Sequence, residues 1–219
     1  MTYKTTKYAV LLASGLMINT ATWADESADW SLSMLVGNCI ACHGPEGSSV
    51  GPATPTIAEM DEETFVEIME AYKKDEFPST IMGRIARGYD KNDFEAMAKY
   101  FAKQTFVRHE QISKVDKKKA KKGKKIHKKF CEKCHEDYGF TVDDGATILA
   151  GQWMPYLQYT FADYVAGTRD MPKGMKKRWK KMMKRKGEKR IELITYFYAT
   201  LTDDSPLKPE KSDDDSSSD

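Results

Sequence analysis

Two stretches decide the reading of this chain: Cys39-Ile40-Ala41-Cys42-His43 and Cys131-Glu132-Lys133-Cys134-His135. Each is CxxCH, and together they use all four cysteines. Two thiols on one helical turn are spaced to add to the two vinyl groups of a single porphyrin. The histidine directly after them then reaches the iron from one side. The spacing therefore points to two covalently bound haem c groups. Other uses of the same cysteines fit less well. A thioredoxin-like pair needs a βαβ pattern, which neither site has. A zinc site built from both pairs leaves the repeated histidine unexplained. Two disulfides, the usual use of cysteines in an exported chain, need no histidine at all.

Outward from the motifs, the flanking residues repeat in order. Cys39 and Cys131 are 92 positions apart. Leu32 and Leu35 form one helical face ahead of the first motif, and Ala120, Gly123, Ile126 and Phe130 form a stripe ahead of the second. Downstream, Asp61-Glu62-Glu63 opens a helix carrying Phe65, Ile68, Met69 and Tyr72 at helical spacing, with acids at its positive end. Its counterpart begins at Pro155, a first-turn residue, and carries Leu157, Phe161 and Tyr164. Closing helices follow, with Phe94, Met97, Ala98 and Phe101 in one half and Ile191, Ile194, Tyr198 and Leu201 in the other. Strand signals are absent. The expected fold is all-α: one helical unit used twice in tandem, each copy wrapped around one covalent haem c. The boundaries read 25–107 for the first unit, 108–114 for a polar linker and 115–203 for the second unit. Units this small bury a limited core, so a large apolar macrocycle contributes much of the buried surface.

A methionine as the opposite axial ligand would make an electron-transfer site. Met82 is the only methionine between the middle and closing helices of the first half. The second half offers Met171 and Met175. Tyr72 precedes Met82 by 10 positions, while Tyr164 precedes Met175 by 11 and Met171 by 7. That comparison favours Met175, with Met171 as the alternative. The other two histidines, His109 and His127, read as solvated surface residues.

Composition narrows the class. The 219 residues are 40% hydrophobic and 31% charged, with formal charge +2, and no apolar run reaches the ~20 residues that span a bilayer. Residues 1–24, with Lys4, Lys7 and an apolar stretch from Tyr8 to Ile18, read as a signal peptide cut after Ala24, which implies a periplasmic protein. Residues 25–110 hold 8 basic and 16 acidic side chains, whereas 111–219 hold 25 and 17. This charge dipole does not describe a uniformly basic nucleic-acid binder. Lysine clusters at 117–129 and 176–190 read either as a solvated helix face or as a docking surface for an acidic partner. The end of the chain, polar from Asp203 and acidic over 204–219, reads as a disordered tail.

Two CxxCH units in tandem, each with a downstream methionine, resemble di-haem cytochromes c of the c-four type. That resemblance implies an all-α fold of two tandem class I cytochrome c domains, each wrapped around one covalent haem c. A further resemblance is to the cytochrome subunit of flavocytochrome c sulfide dehydrogenase. It is carried by Gly51-Pro52-Ala53-Thr54-Pro55, by Ser79 through Tyr89, by Phe130 through His135, and by Ile148 through Tyr159. The resemblance implies a periplasmic heterodimer with an FAD-containing, sulfide-oxidising subunit. FAD would sit on that partner only, and electrons would pass singly through two haems to a soluble cytochrome acceptor. It also implies thioether bonds at Cys39, Cys42, Cys131 and Cys134, proximal ligands at His43 and His135, and distal ligands at Met82 and Met175. No residue set for substrate chemistry is evident on this chain. The second half has no counterpart of Gly51-Pro52, so the group that orients His135 lies elsewhere. Two rivals remain: an independent c-four-type carrier feeding a terminal oxidase, and a di-haem peroxidase, which would need one iron able to open.

Overall fold

In the computed structural model, which describes residues 23–111, 114–141 and 145–209 with side chains from residue 31 onward, the first motif closes a long helix, α1 (Trp23–His43). The helix α2 (Glu62–Lys73) starts where the Asp61 carboxylate accepts from the Thr64 amide at 2.8 Å. That bond satisfies one of the amides a helix start leaves free. A short helix, α3 (Met82–Ala86), leads to α4 (Lys91–Ala102), which opens on a reciprocal cap between Asp90 and Asp93. In the second half α5 (Lys117–Phe130), capped by Asp116, runs into the second motif. Then follow α6 (Met154–Ala166), α7 (Lys173–Met183) and α8 (Gly187–Tyr198). The described residues contain no strand.

The helices gather around two apolar cores. In the first, α2 packs on α3 and α4, and α1 on α4, burying Phe94, Met97 and Phe101 completely. Each such side chain contributes about 1.5–3 kcal/mol of apolar transfer. In the second, α5, α6 and α7 pack on α8, around Leu157, Phe161, Ile194 and Phe197. Gly123 sets the α5–α8 approach: a Cβ there would lie 2.1 Å from the Leu193 carbonyl oxygen. The stripe of Ala120, Gly123, Ile126 and Phe130 read from sequence thus includes a close helix contact.

The repeat survives in the hydrogen bonds. The amide of Ile57 donates to Gly47 as that of Leu149 does to Gly139, and Glu59 donates to Phe101 as Gly151 does to Tyr198. The first pair keeps the 92-residue offset, whereas Phe101 and Tyr198 are 97 apart. The extra residues lie where the 11-residue α7 replaces the 5-residue α3. The sequence reading took 176–190 only as a solvated helix face or a docking surface and missed its inward side, because seven Lys or Arg side chains between 173 and 184 obscure the apolar face of Trp179 and Met182.

The halves are joined by more than a polar connection. Gln152 clasps the backbone of Thr56, accepting from its amide and donating to its carbonyl, both at 3.1 Å. The Trp153 indole N–H donates to Ser49 at 3.0 Å. Arg108, expected in the linker, is buried between the rings of Phe106 and Phe140 and pairs with Asp203 at 2.9 Å. Asp203 therefore closes the second unit instead of starting a solvated tail. The expected leader lies outside the described residues except for Trp23 and Ala24, which open α1, and the tail lies outside them from residue 210 onward. No helix among the described residues is long and apolar enough to cross a membrane.

Candidate functional site

The two motifs sit at the same place in each half. All four cysteines are free thiols; Cys42 is exposed and the other three are partly buried. His43 Nδ1 lies 2.7 Å from the Pro55 carbonyl oxygen, and His135 Nδ1 lies 3.1 Å from that of Thr147. Only an N–H satisfies a carbonyl oxygen, so each ring donates from Nδ1. Nε2 keeps its lone pair, as a metal-binding imidazole requires. Burial drives both rings toward the neutral form against these hydrogen bonds, and pushes His135 to about 4. Pro55 and Thr147 are 12 residues past their histidines. The orienting group of the second half is thus Thr147, and in the first half it is Pro55, not the Gly51-Pro52 peptide.

Both motifs line one continuous cavity of about 1750 Å³, well beyond the ~300–1,000 Å³ of an ordinary small-ligand pocket. Met82, Met171 and Met175 also line it. Met82 is the first residue of α3; Met171 precedes α7 and Met175 falls in its first turn. The cavity brings all these sequence-chosen residues together, and both candidates for the second methionine reach it.

Arg169 tests whether a haem fits this space. Its guanidinium lies 4.3 Å from the Phe77 ring centroid of the first half and meets the hydroxyls of Tyr72 and Tyr164. It is 9% exposed, lines the cavity, and its Nε is buried with no hydrogen-bond partner. A buried cation with an orphaned donor calls for an anion. The carboxylate side chains of a haem would supply one where the two halves meet. A protein-only metal centre fits worse: no group of three His, Cys, Asp or Glu side chains among the described residues could hold an ion.

Sequence reasoning missed Arg169, Pro55 and Thr147. Two of these act through backbone carbonyls and leave no side-chain signal. Tyr72 and Tyr164 were read only as packing residues, although the 92-residue offset pairs them. One reading is overturned. His127 is not a solvated surface residue but fully buried, between Tyr198 and Glu132. His109 is partly buried and stacks on Trp153 at 6.5 Å.

No protein-family model matches the chain. Over 70 residues it is 33% identical to a thiosulfate dehydrogenase electron acceptor of Stutzerimonas stutzeri, a match over 31% of this chain and 32% of that protein. The chain thus spans about a third of that relative. Among solved structures, it resembles reduced recombinant cytochrome c4 from Pseudomonas stutzeri, with TM-score 0.66, 23% identity and coverage of 78% and 97% of the two chains. Cytochrome c4 from Acidithiobacillus ferrooxidans aligns with TM-score 0.61, 23% identity and coverage of 75% and 99%. Thiosulfate dehydrogenase from Marichromatium purpuratum aligns with TM-score 0.63 at 18% identity, covering 74% of this chain and 36% of that one. The fold is that of tandem class I cytochrome c domains, as the sequence predicts.

Proposed function

We propose that this chain is an exported, periplasmic di-haem electron carrier, with units at 25–107 and 115–203 joined through 108–114. The supporting observation is the paired geometry of His43 and His135. Both donate from Nδ1 to a carbonyl 12 residues on, beside a CxxCH pair that opens on one shared cavity. Cys39 with Cys42, and Cys131 with Cys134, would anchor the two groups. His43 and His135 would ligate the irons on one side, and Met82 and Met175 on the other, with Met171 the alternative to Met175. Bound haem supplies a one-electron couple. The chain's own residues hold it, keep the histidines neutral, shield the site from water and set an arginine against its carboxylates. A methionine reaching each site favours closed, six-coordinate irons over a peroxidase.

The electron donor in this reading is a partner that oxidises an inorganic sulfur compound. Two independent likenesses support that class: the sequence resemblance to the flavocytochrome c sulfide dehydrogenase subunit, and the match to a thiosulfate dehydrogenase electron acceptor. The first implies an FAD-containing sulfide-oxidising subunit and a soluble cytochrome acceptor; the second implies thiosulfate as the source of electrons. The cytochrome c4 likeness supports the other reading, a free carrier feeding a terminal oxidase. Purifying the native protein under mild conditions separates them. A stoichiometric flavoprotein with sulfide-dependent haem reduction supports the flavocytochrome. Reduction by thiosulfate with a thiosulfate dehydrogenase supports the second, and a lone cytochrome supports the third. Met175→Leu should remove half of the near-infrared sulfur-to-iron band; loss with Met171→Leu alone would reassign the ligand.

A further inference from the structure

The internal repeat makes the first unit a control for the second. At three corresponding places the first unit carries Leu35, Ile40 and Phe101, and the second carries His127, Glu132 and Tyr198. The first two pairs keep the 92-residue offset, and the third is matched by the hydrogen bonds from Glu59 and Gly151. Three apolar residues in one half are three polar, ionisable ones in the other, clustered at the same helix contact beside the motif.

Their geometry forms a chain. His127 Nδ1 lies 2.9 Å from the Tyr198 hydroxyl, and Nε2 lies 2.5 Å from Glu132 Oε2. His127 is 0% exposed, and close as Nε2 and Oε2 are, both atoms are buried and neither has a hydrogen-bond partner. The Tyr198 hydroxyl also meets the thiol of Cys131, one of the proposed haem anchors. Glu132 is 36% exposed, so its carboxyl group connects this interior chain to solvent. The other groups facing it are few. Tyr138 and Phe197 flank the imidazole, with Lys124 and Lys128 over the Tyr138 ring. Lys128 and His135 are the remaining titratable groups whose charge reaches it. Burial, helped by Lys128, keeps His127 neutral, at about 4. A neutral ring that accepts from the Tyr198 hydroxyl at Nδ1 leaves Nε2 facing the Glu132 carboxylate at contact distance with no hydrogen bond formed, and leaves the pair able to accept one more proton. Burying such a triad in a helix contact is costly where Leu, Ile and Phe serve the first unit.

We propose that Glu132, His127 and Tyr198 form a proton-accepting site linked to the second haem, which takes one proton from water when that haem takes one electron. The iron goes from ferric to ferrous with the electron from the donor. The proton settles on the Glu132–His127 pair, and the site's net charge is unchanged. Reduction places a negative charge beside the pair and raises its proton affinity; by reciprocity, protonation favours reduction. The second potential therefore falls as pH rises, while the first lacks this contribution.

This inference rests on the di-haem reading, and the two can fail separately. The test is spectroelectrochemical titration of the matured protein from about pH 4 to about pH 8, with proton uptake on reduction followed by an indicator dye in unbuffered solution. In the wild type, one of two waves should shift with pH and reduction should take up protons. Glu132→Gln, which keeps the shape, should flatten that wave against pH and cut the uptake by at least half, leaving the other wave unchanged. His127→Leu with Tyr198→Phe, the first unit's residues, should do the same. Two normal waves whose pH profiles survive Glu132→Gln would overturn this inference alone. A chain with no waves would overturn the carrier reading with it.

Discussion

Arg169 and Asp203 are the residues whose charges the structure explains most fully. Arg169 is buried at the meeting of the halves with an orphaned donor, so it should act on both proposed haems. Removing its positive charge by Arg169→Gln should lower both reduction potentials, because a nearby cation favours the reduced, more negative state. Unchanged potentials in a spectroelectrochemical titration would place Arg169 outside the haem environment. Asp203 is partly buried, which opposes its ionisation, but its pairs with Lys208 and Arg108 win and hold its carboxyl below the ordinary range. A lowered folded value means the stabilisation is complete above the unfolded carboxylate pKa near 3.8 and is lost as pH falls through the folded one. Denaturant melts should find wild type more stable than Asp203→Asn at neutral pH, with the gap closing in acid. A gap constant down to the lowest pH would rule out the ion pairs as its source. At this scale the sequence was legible where chemistry demands fixed spacing, as in the CxxCH pairs. It was not legible where burial decides: His127 stands among lysines, yet it is four residues past Gly123 on the inward stripe of α5.

At the scale of elements, the contact between α5 and α8 is the tightest joint in the second unit. Gly123 lets the backbones meet, and Lys119 pairs with Glu192 at the rim. A methyl group at Gly123 would strike a main-chain oxygen that cannot swing aside, so Gly123→Ala should destabilise by about 1–3 kcal/mol. Thermal denaturation would measure it, and an unchanged midpoint would mean that the helices part freely. Helical periodicity disclosed α2, α4, α6 and α8, because each carries apolar residues at regular spacing on one face. It did not disclose the inward face of α7, where the lysine cluster reads only as a solvated helix face or a docking surface. There six basic side chains outweigh a narrow inward face, and only packing on α8 makes that face evident.

For the whole molecule, the acidic first half and basic second half set how partners approach. The lysines of α5 and α7 are mostly exposed, and these helices contact each other and α8, so they belong to one side of the second unit. Docking of an acidic redox partner there should slow as salt rises, since screening acts within about 10 Å at 0.1 M. Stopped-flow association flat from low to high salt would assign the lysines to solvation alone. The division into two like halves was legible from the repeat, whereas the clasp between them was not. Gln152 and Trp153 bond to backbone atoms of Thr56 and Ser49, a pairing no local pattern encodes.

The measurement that bears most directly on the account is the haem content of the exported, matured chain, read by intact mass and absorbance after denaturation. Two covalently retained haems are expected, falling to one when Cys39 and Cys42, or Cys131 and Cys134, are replaced by serine. A colourless chain at its bare polypeptide mass, made alongside a competent maturation system, would contradict it.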